Sequence, residues 1–305
     1  MSERQGPAHG LSEHELSEIR MLIEERTGIC FDESRERFFS TRVLEQLRVK
    51  GMERGTDLLR AIRKSNIEYE ALLERLLTQE TSFFRYPAVY EAFEKRVLPE
   101  LHAKKFWKNP RTLRIWSAGC STGEEAYTIA MLVRQSGLFF GGAVGKAESS
   151  SPDASERWDV RIYGSDISRR CVAAARRGIY GESSFRTTPL AVRDEFFQGC
   201  RGAWHVQESI RELCHFGQMN LLDEDRLRVL GNVDAIFCRN VLIYFDARAR
   251  KAAIERLYER LNPGGVLLLG HSESLLNVST AFELLHLKDD LVYRKPPSAR
   301  SPAAP

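Results

Sequence analysis

Cysteine is sparse and unpatterned in this 305-residue chain: Cys30, Cys120, Cys171, Cys200, Cys214 and Cys238 are scattered, and no C-x-x-C pair occurs. The spacing offers no zinc site, and the simplest reading is reduced, mostly packed thiols in a cytosolic protein. Long apolar runs are missing as well. Nowhere do about 18 apolar residues run together, so no membrane span is expected. The opening MSERQGPAHG has no apolar signal region and reads as disordered. A large excess of one charge sign is also missing: the formal net charge is +3, too small by itself to argue for nucleic acid. No internal repeat is found. What remains is 43% hydrophobic with mixed charges, the composition of a globular protein with a sizeable core. The length allows roughly two domains.

From residue 11 to about 100 the pattern is helical, with no strand expected before Arg111. Residues 11–28 form a first helix, with Leu16, Ile19, Leu22 and Ile23 on one face. Ser12 is its N-cap and Glu15 stands at the capping-box spacing. Residues 33–50, 56–65 and 67–78 give three more helices. Between Ser34 and Lys64 there are nine Lys/Arg against four Asp/Glu, so positive charge concentrates in the second and third helices. Such a stretch is either a solvated helical face or a docking surface for an acidic partner, and spacing alone does not decide.

Beyond Arg111 strands alternate with helices, the signature of an α/β domain with a doubly wound sheet. Leu113, Ile115 and Trp116 mark a first strand. Further strands are expected at 160–165, 233–238 and 266–270, and helices around 171–177 and 248–261. Residues 282–293 read as a final hairpin turning near Asp289 and Asp290. Residues 141–156 are Gly/Ser/Ala-rich and read as a flexible surface loop. Residues 296–305 are Pro/Ala/Ser-rich and read as a disordered tail. An insertion at about 179–217 interrupts the alternation. Residues 203–206 and 213–217 are expected to pair there as a small antiparallel ribbon, with Cys214 and Phe216 filling one face. The ribbon is either a recognition appendage or an inert excursion.

The turn after the first strand carries most of the information. It runs Ala118-Gly119-Cys120-Ser121-Thr122-Gly123, followed by Glu124 and Glu125 at the start of a helix. Strand, Gly-rich turn and helix make the first unit of a nucleotide-binding domain. No Lys-Ser or Lys-Thr pair follows Gly123, so this is not a phosphate-gripping loop. Two carboxylates where a pyrophosphate would meet the helix N-terminus would repel it, and a cationic ligand fits better. The same residues match the G-x-S-x-G nucleophile elbow around Ser121, with His271 a conceivable partner. Ligands of doubly wound sheets bind outside the carboxyl ends of the strands. Asp166 ends the second strand, where it either caps the next helix or accepts bonds from ribose hydroxyls. Arg239 and Asn240 follow the strand ending at Cys238. Together these strand ends outline a nucleoside site.

With those residues in place, the chain resembles the chemotaxis receptor protein-glutamate O-methyltransferases of the CheR type. The resemblance rests on motifs in order: Thr81-Ser-Phe-Phe-Arg85, WSAGCSTGEEAYTIA at 116–130, GSDIS at 164–168 with Ala174-Ala-Arg-Arg-Gly-Ile-Tyr180, Met219-Asn220-Leu221-Leu222, AIFCRNVLIYFD at 235–246 and LNPGGVLLLGHSESL at 261–275. They cover about 70–295. The resemblance implies a class I S-adenosylmethionine-dependent methyltransferase fold over 101–295, with a C-terminal antiparallel hairpin. It also implies a helical N-terminal receptor-docking domain over 11–100 and a small β-subdomain at the insertion.

The resemblance further implies roles. Gln79 stands where some relatives have a cofactor-contacting Asn. Thr81 and Arg85 correspond to contacts with the methionine part, and Glu124, with Glu125 as the alternative, to the acid facing its amino group. Gly119 belongs to the same turn. Asp166 takes the ribose, Asn220 and Leu221 the adenine, and Arg239 and Asn240 border the cofactor. Tyr244 lies near the transferred methyl, and Arg85 and Tyr244 are expected to orient the reacting groups. Because carboxylate and sulfonium react directly, neither a general base nor a metal is required, and S-adenosylhomocysteine is the product. Arg35, Arg37, Arg42, Arg48 and Lys50 become candidates for docking on the helical cytoplasmic domain of chemotaxis receptors. In some relatives the β-subdomain binds a receptor C-terminal peptide. The implied location is the cytoplasm, with recruitment to membrane receptor arrays and neither membrane insertion nor nucleic acid as partner. Rival readings are a methyltransferase of small molecules or RNA, a non-catalytic cofactor- or receptor-binding module, and a hydrolase using Ser121.

Overall fold

The computed structural model describes residues 11–108, 110–140, 157–287 and 290–297. The expected disordered start, the 141–156 loop and the tail from 298 onward lie outside the described residues. The chain forms two compact units. The first takes the segment up to Thr78 together with Ser168–Arg170 and Tyr244–Arg250, and the second takes Gln79–Ile167, Cys171–Ile243 and the segment from Lys251 onward.

The first unit is built on four helices, Glu13–Thr27 (α1), Glu36–Lys50 (α2), Gly55–Lys64 (α3) and Asn66–Leu76 (α4). The expected capping box is formed. Ser12 Oγ accepts from the Glu15 amide at 3.2 Å, and Glu15 Oε2 accepts from the Ser12 amide at 2.9 Å. Glu15 also accepts from the Thr56 amide at 2.9 Å, which ties the start of α1 to that of α3. These amide bonds, the Ser12 one first, hold the Glu15 carboxyl below its usual range. Helix α2 starts three residues later than its composition predicts. Asp32 Oδ1 takes the Ser34 hydroxyl at 2.6 Å and the Arg35 amide at 3.2 Å, an Asx turn that competes with helix. Ile19, Ile23, Phe39, Val43, Leu58, Ile62 and Leu72 bury the apolar faces. The later segment of this unit joins through an antiparallel bridge between Ile29 and Phe245 and a bond from the Cys30 amide to the Tyr244 carbonyl at 2.7 Å.

In the second unit the strands are Thr112–Ala118 (β1), Asp159–Asp166 (β2), Ile179–Tyr180 (β3), Phe197–Cys200 (β4), Ala203–Val206 (β5), Cys214–Gln218 (β6), Val233–Cys238 (β7), Leu261–Leu269 (β8), Glu283–Leu287 (β9) and Asp290–Arg294 (β10). Seven form one sheet in the order β6-β2-β1-β7-β8-β10-β9. The first five of that order run parallel, and β10 is antiparallel to both neighbours. All six residues of β7 are buried, as a parallel strand covered on both faces requires. The chain leaves β1 toward β2 and β6, then returns to β7 and β8 on the other side. The switch point therefore lies between the carboxyl ends of β1 and β7, where such sheets bind ligands.

Two expectations need correction. The 203–206 strand does not pair with 213–217. β5 is bonded on one side to β3 and on the other to β4, so neither of its edges is left for a further strand. Residues 214–218 instead form β6, the parallel edge of the large sheet, pairing Ile162 with Cys214 and Asp166 with Gln218. Phe216 does fill a face, but that of β2: a Cβ on Gly164 would stand 2.5 Å from the Phe216 ring. The second correction is the helical stretch up to residue 100, which is shared between units. Pro87–Ala92 (α5), a π-helical turn Phe93–Val97 and Leu98–Lys105 (α6) belong to the second unit. Phe93 packs edge-on against Phe237 of β7, with ring centroids 5.0 Å apart.

Among the described residues no disulfide is formed. Cys120, Cys171, Cys214 and Cys238 are buried, Cys30 is half-buried, and Cys200 on β4 is exposed.

Candidate active site

The turn between β1 and helix Glu124–Gln135 (α7) is held from the neighbouring strand. The amides of Gly119 and Cys120 both donate to the Ser165 carbonyl, at 2.8 and 2.9 Å. The Ser121 amide donates to Asp166 Oδ2 at 2.8 Å, with Ser121 in the left-handed region at φ 48°. Two glycines are required here. Gly119 has φ +80°, and a Cβ on it would stand 2.3 Å from Val241 Cγ2; Gly123 has φ +98°, and its Cβ would stand 2.7 Å from Ala175 Cβ. The absent side chains make room for Val241, which follows β7, and for Ala175 in the helix Arg169–Arg177.

The two adjacent carboxylates have different fates. Successive residues on a helix point about 100° apart, and only one of the pair meets a cation. Glu125 Oε2 lies 3.2 Å from Arg239 Nη1, and its Oε1 accepts from Ser117 Oγ at 2.7 Å. Arg239 also donates to the Tyr90 hydroxyl at 2.9 Å and to the Arg85 carbonyl at 2.8 Å. Burial pushes the Glu125 carboxyl up, and Arg239 opposes that rise. Glu124 is 2% exposed and is met by hydroxyls instead: Thr122 Oγ1 donates to its Oε2 at 2.6 Å and Ser184 Oγ to its Oε1 at 3.0 Å. Burial again raises its pKa, against the pull of those two hydroxyls. Among the described residues no arginine or lysine is paired with Glu124, so it is the acid of this turn suited to an external cation.

The remaining strand ends converge on the same edge. Asp166 ends β2, and its carbonyl accepts from the Met219 amide at 2.9 Å, which brings the Asn220–Leu221 segment after β6 alongside. Asn220 Oδ1 accepts from the Leu222 amide at 2.9 Å, and Leu221 is buried. Asn240, after β7, adopts φ 58°. The segment Gln79–Arg85 reaches this edge through the Arg85–Arg239 bond just described. The Phe83 amide donates to the Ser184 carbonyl at 2.8 Å and the Phe84 amide to Thr128 Oγ1 at 3.2 Å. The Arg85 guanidinium turns back to the Glu80 carbonyl at 2.6 Å. Thr81 is half-buried in that segment.

Not every expected residue belongs to this unit. Tyr244 lies in the first unit, with the Arg35 guanidinium 5.0 Å from its ring centroid. Of the docking candidates, Arg35 is thus engaged on Tyr244, Arg42 pairs with Glu45 at 2.8 Å and Lys50 with Glu68 at 2.7 Å. Arg37 and Arg48 are exposed on α2 and have no acidic partner among the described residues. Thr122, Ser184 and Glu273 shape the site without having been assigned a role from sequence. Glu273 stood inside a quoted motif; Ser184 carried no signal.

Comparison with known families then decides the matter. The family profile described as CheR methyltransferase, SAM binding domain, matches residues 79–290, and that described as CheR methyltransferase, all-alpha domain, matches residues 14–77. The chain belongs to the CheR methyltransferase family. The second unit accordingly has the class I S-adenosylmethionine-dependent methyltransferase fold, and the chain is a methyltransferase with S-adenosylmethionine as cofactor. Similar proteins span nearly the whole length. Chemotaxis protein methyltransferase 2 of Vibrio cholerae is 31% identical over 294 residues, covering 95% of this chain and 96% of the relative. The chemotaxis protein methyltransferase of Borreliella burgdorferi is 30% identical over 268 residues, 87% of this chain and 89% of the relative. That of Salmonella typhimurium is 33% identical over 281 residues, 90% and 88%. The donor set at the strand ends is a buried acid met by two hydroxyls, a carboxylate at the end of β2, and no lysine in the turn. Among the described residues no helix is long and apolar enough to cross a membrane.

Proposed function

We propose that the protein transfers a methyl group from S-adenosylmethionine to glutamate side chains of chemotaxis receptors, forming glutamyl methyl esters. The observation that carries the reading is the match of both the all-alpha and the cofactor-binding domain to one family, together with relatives over most of the chain that are named chemotaxis protein methyltransferases. The cofactor supplies a methyl group on a sulfonium, already a good electrophile. A glutamate side chain with a pKa of about 4.3 is already a carboxylate at neutral pH. What this chain must contribute is therefore alignment, a contribution of up to about 7–11 kcal/mol to the barrier.

In this reading Glu124 receives the amino group of the cofactor, with Gln79, Thr81 and Arg85 beside its methionine part. Asp166 takes the ribose hydroxyls, Asn220 and Leu221 flank the adenine, and Gly119, Arg239 and Asn240 shape the cleft. Arg85 and Tyr244 orient the reacting groups. The first unit docks on the receptor's acidic helices through α2, where Arg37 and Arg48 are the exposed cations without an acidic partner among the described residues. The outer edge of β4 is where a receptor C-terminal peptide would add a strand. The protein works in the cytoplasm, at receptor arrays.

The test is incubation with methyl-labelled S-adenosylmethionine and receptor-rich membranes. The reading expects label on the receptor that alkali releases as methanol. Label retained through alkali, or found on RNA instead, refutes it.

A further inference from the structure

We propose that Glu273 is a positioning residue of the cofactor site, acting through the backbone of residues 240–243 and, beyond it, on the Gly119 turn. The inference rests on the methyltransferase reading above and deepens it. Strand β7 ends at Cys238, so the amides that follow have lost their ladder partners and need others. A single carboxylate provides them. Glu273 Oε2 accepts from the amides of Asn240 and Gly270, both at 2.8 Å. Its Oε1 accepts from those of Val241 at 3.0 Å and Ile243 at 3.3 Å. Four donors on one carboxylate match its roughly four lone-pair sites.

The geometry is enforced on both sides. Asn240 stands at φ 58°, a left-handed conformation that asparagine tolerates but does not prefer, and the anion behind its amide holds it there. Gly270 lets the carboxylate approach: a Cβ on it would stand 2.7 Å from Glu273 Oε2 and 3.0 Å from the Asn240 amide nitrogen. Val241, held by Oε1, presses its Cγ2 against the bare Cα of Gly119, as the 2.3 Å separation from a hypothetical Cβ records. Carboxylate, loop and turn thus stand in series, and the β1 and β7 halves of the cleft share one anchor. A glutamine of the same shape cannot replace it, because its amide nitrogen would face two backbone donors.

The test compares full-length wild type, Glu273→Gln and Gly270→Ala. Gly270→Ala keeps the carboxylate but crowds it, and it carries the test if Glu273→Gln does not fold. S-adenosylhomocysteine binding is measured by calorimetry, and KM for S-adenosylmethionine and for receptor is measured alongside kcat. Both variants are expected to weaken S-adenosylhomocysteine binding and raise the cofactor KM about tenfold, equivalent to 1.4 kcal/mol, with receptor KM unchanged. Wild-type binding of S-adenosylhomocysteine by Glu273→Gln refutes the inference. So does an equal rise in both KM values, which marks a merely structural residue. Wild type that does not bind S-adenosylhomocysteine overturns the cofactor-site reading itself, a different failure from the other two.

Discussion

Substituting Gly119 by alanine isolates the packing between the ends of β1 and β7. At φ +80° an alanine meets the left-handed penalty of about 1–2 kcal/mol. Its Cβ would also stand 2.3 Å from Val241 Cγ2, an overpacking that costs about 1–3 kcal/mol more. Gly119→Ala is therefore expected to lose about 2–5 kcal/mol of stability, the sum of the two effects. The two parts separate in a double-mutant cycle. Val241→Ala removes the offending methyl, leaving Val241 Cβ at an ordinary 3.5 Å from the new Cβ. Alone it should cost about 1–2 kcal/mol in lost apolar burial. The double variant should recover the overpacking part, a coupling of about 1–3 kcal/mol, and keep the backbone penalty. Urea unfolding followed by circular dichroism and fluorescence reads this as shifts in midpoint at constant slope. Additivity of the two substitutions within about 0.5 kcal/mol would falsify the close approach as the reason for the glycine.

Three further outcomes follow from the same geometry. Burial raises the Glu124 carboxyl, so in the ligand-free protein its stabilising contribution is full below the unfolded value and is lost as pH rises through the folded one. A cation on Glu124 favours the ionised form, so cofactor binding should release protons and strengthen as pH rises through that raised pKa. Calorimetry in buffers of different ionisation enthalpy detects the release, and Glu124→Gln should abolish it; an unchanged proton count in the variant removes Glu124 from the ammonium contact. Arg239→Met leaves the Glu125 carboxylate buried beside no cation, a loss of about 3–5 kcal/mol in denaturation midpoints, partly restored by adding Glu125→Gln. Arg48→Glu should raise receptor KM while the Kd for S-adenosylhomocysteine stays at the wild-type value, and a parallel loss of both would count against docking through α2.

Much of the fold was legible because its signals are local. The helices of the first unit show their apolar stripes and caps, and β7 shows as the continuous run Val233–Cys238. Pairing is not local. An alternating segment such as 214–218 fits either a ribbon or the edge of a large sheet, and only β5's two occupied edges exclude the first. The layout of the candidate site was legible where glycines and a strand end fix the backbone, as in the turn rich in small residues and the strand-end Asp166. It was ambiguous between Glu124 and Glu125, because adjacency in sequence says nothing about which one Arg239 reaches from 114 residues away. Glu273 had no legible role at all, since its partners are backbone amides, which every residue but proline carries.

The burial of the thiols has a practical consequence. Burial pushes Cys120, Cys214 and Cys238 up, away from the reactive thiolate, and does the same to Cys30. Cys200 is the exposed one, and it sits on β4, the outer strand of the three-stranded sheet β3-β5-β4. A maleimide dye added to the unmodified protein should therefore attach there selectively, without mutagenesis. Its fluorescence then becomes a gauge of that sheet edge, brightening or dimming as a peptide of chosen sequence is titrated against it.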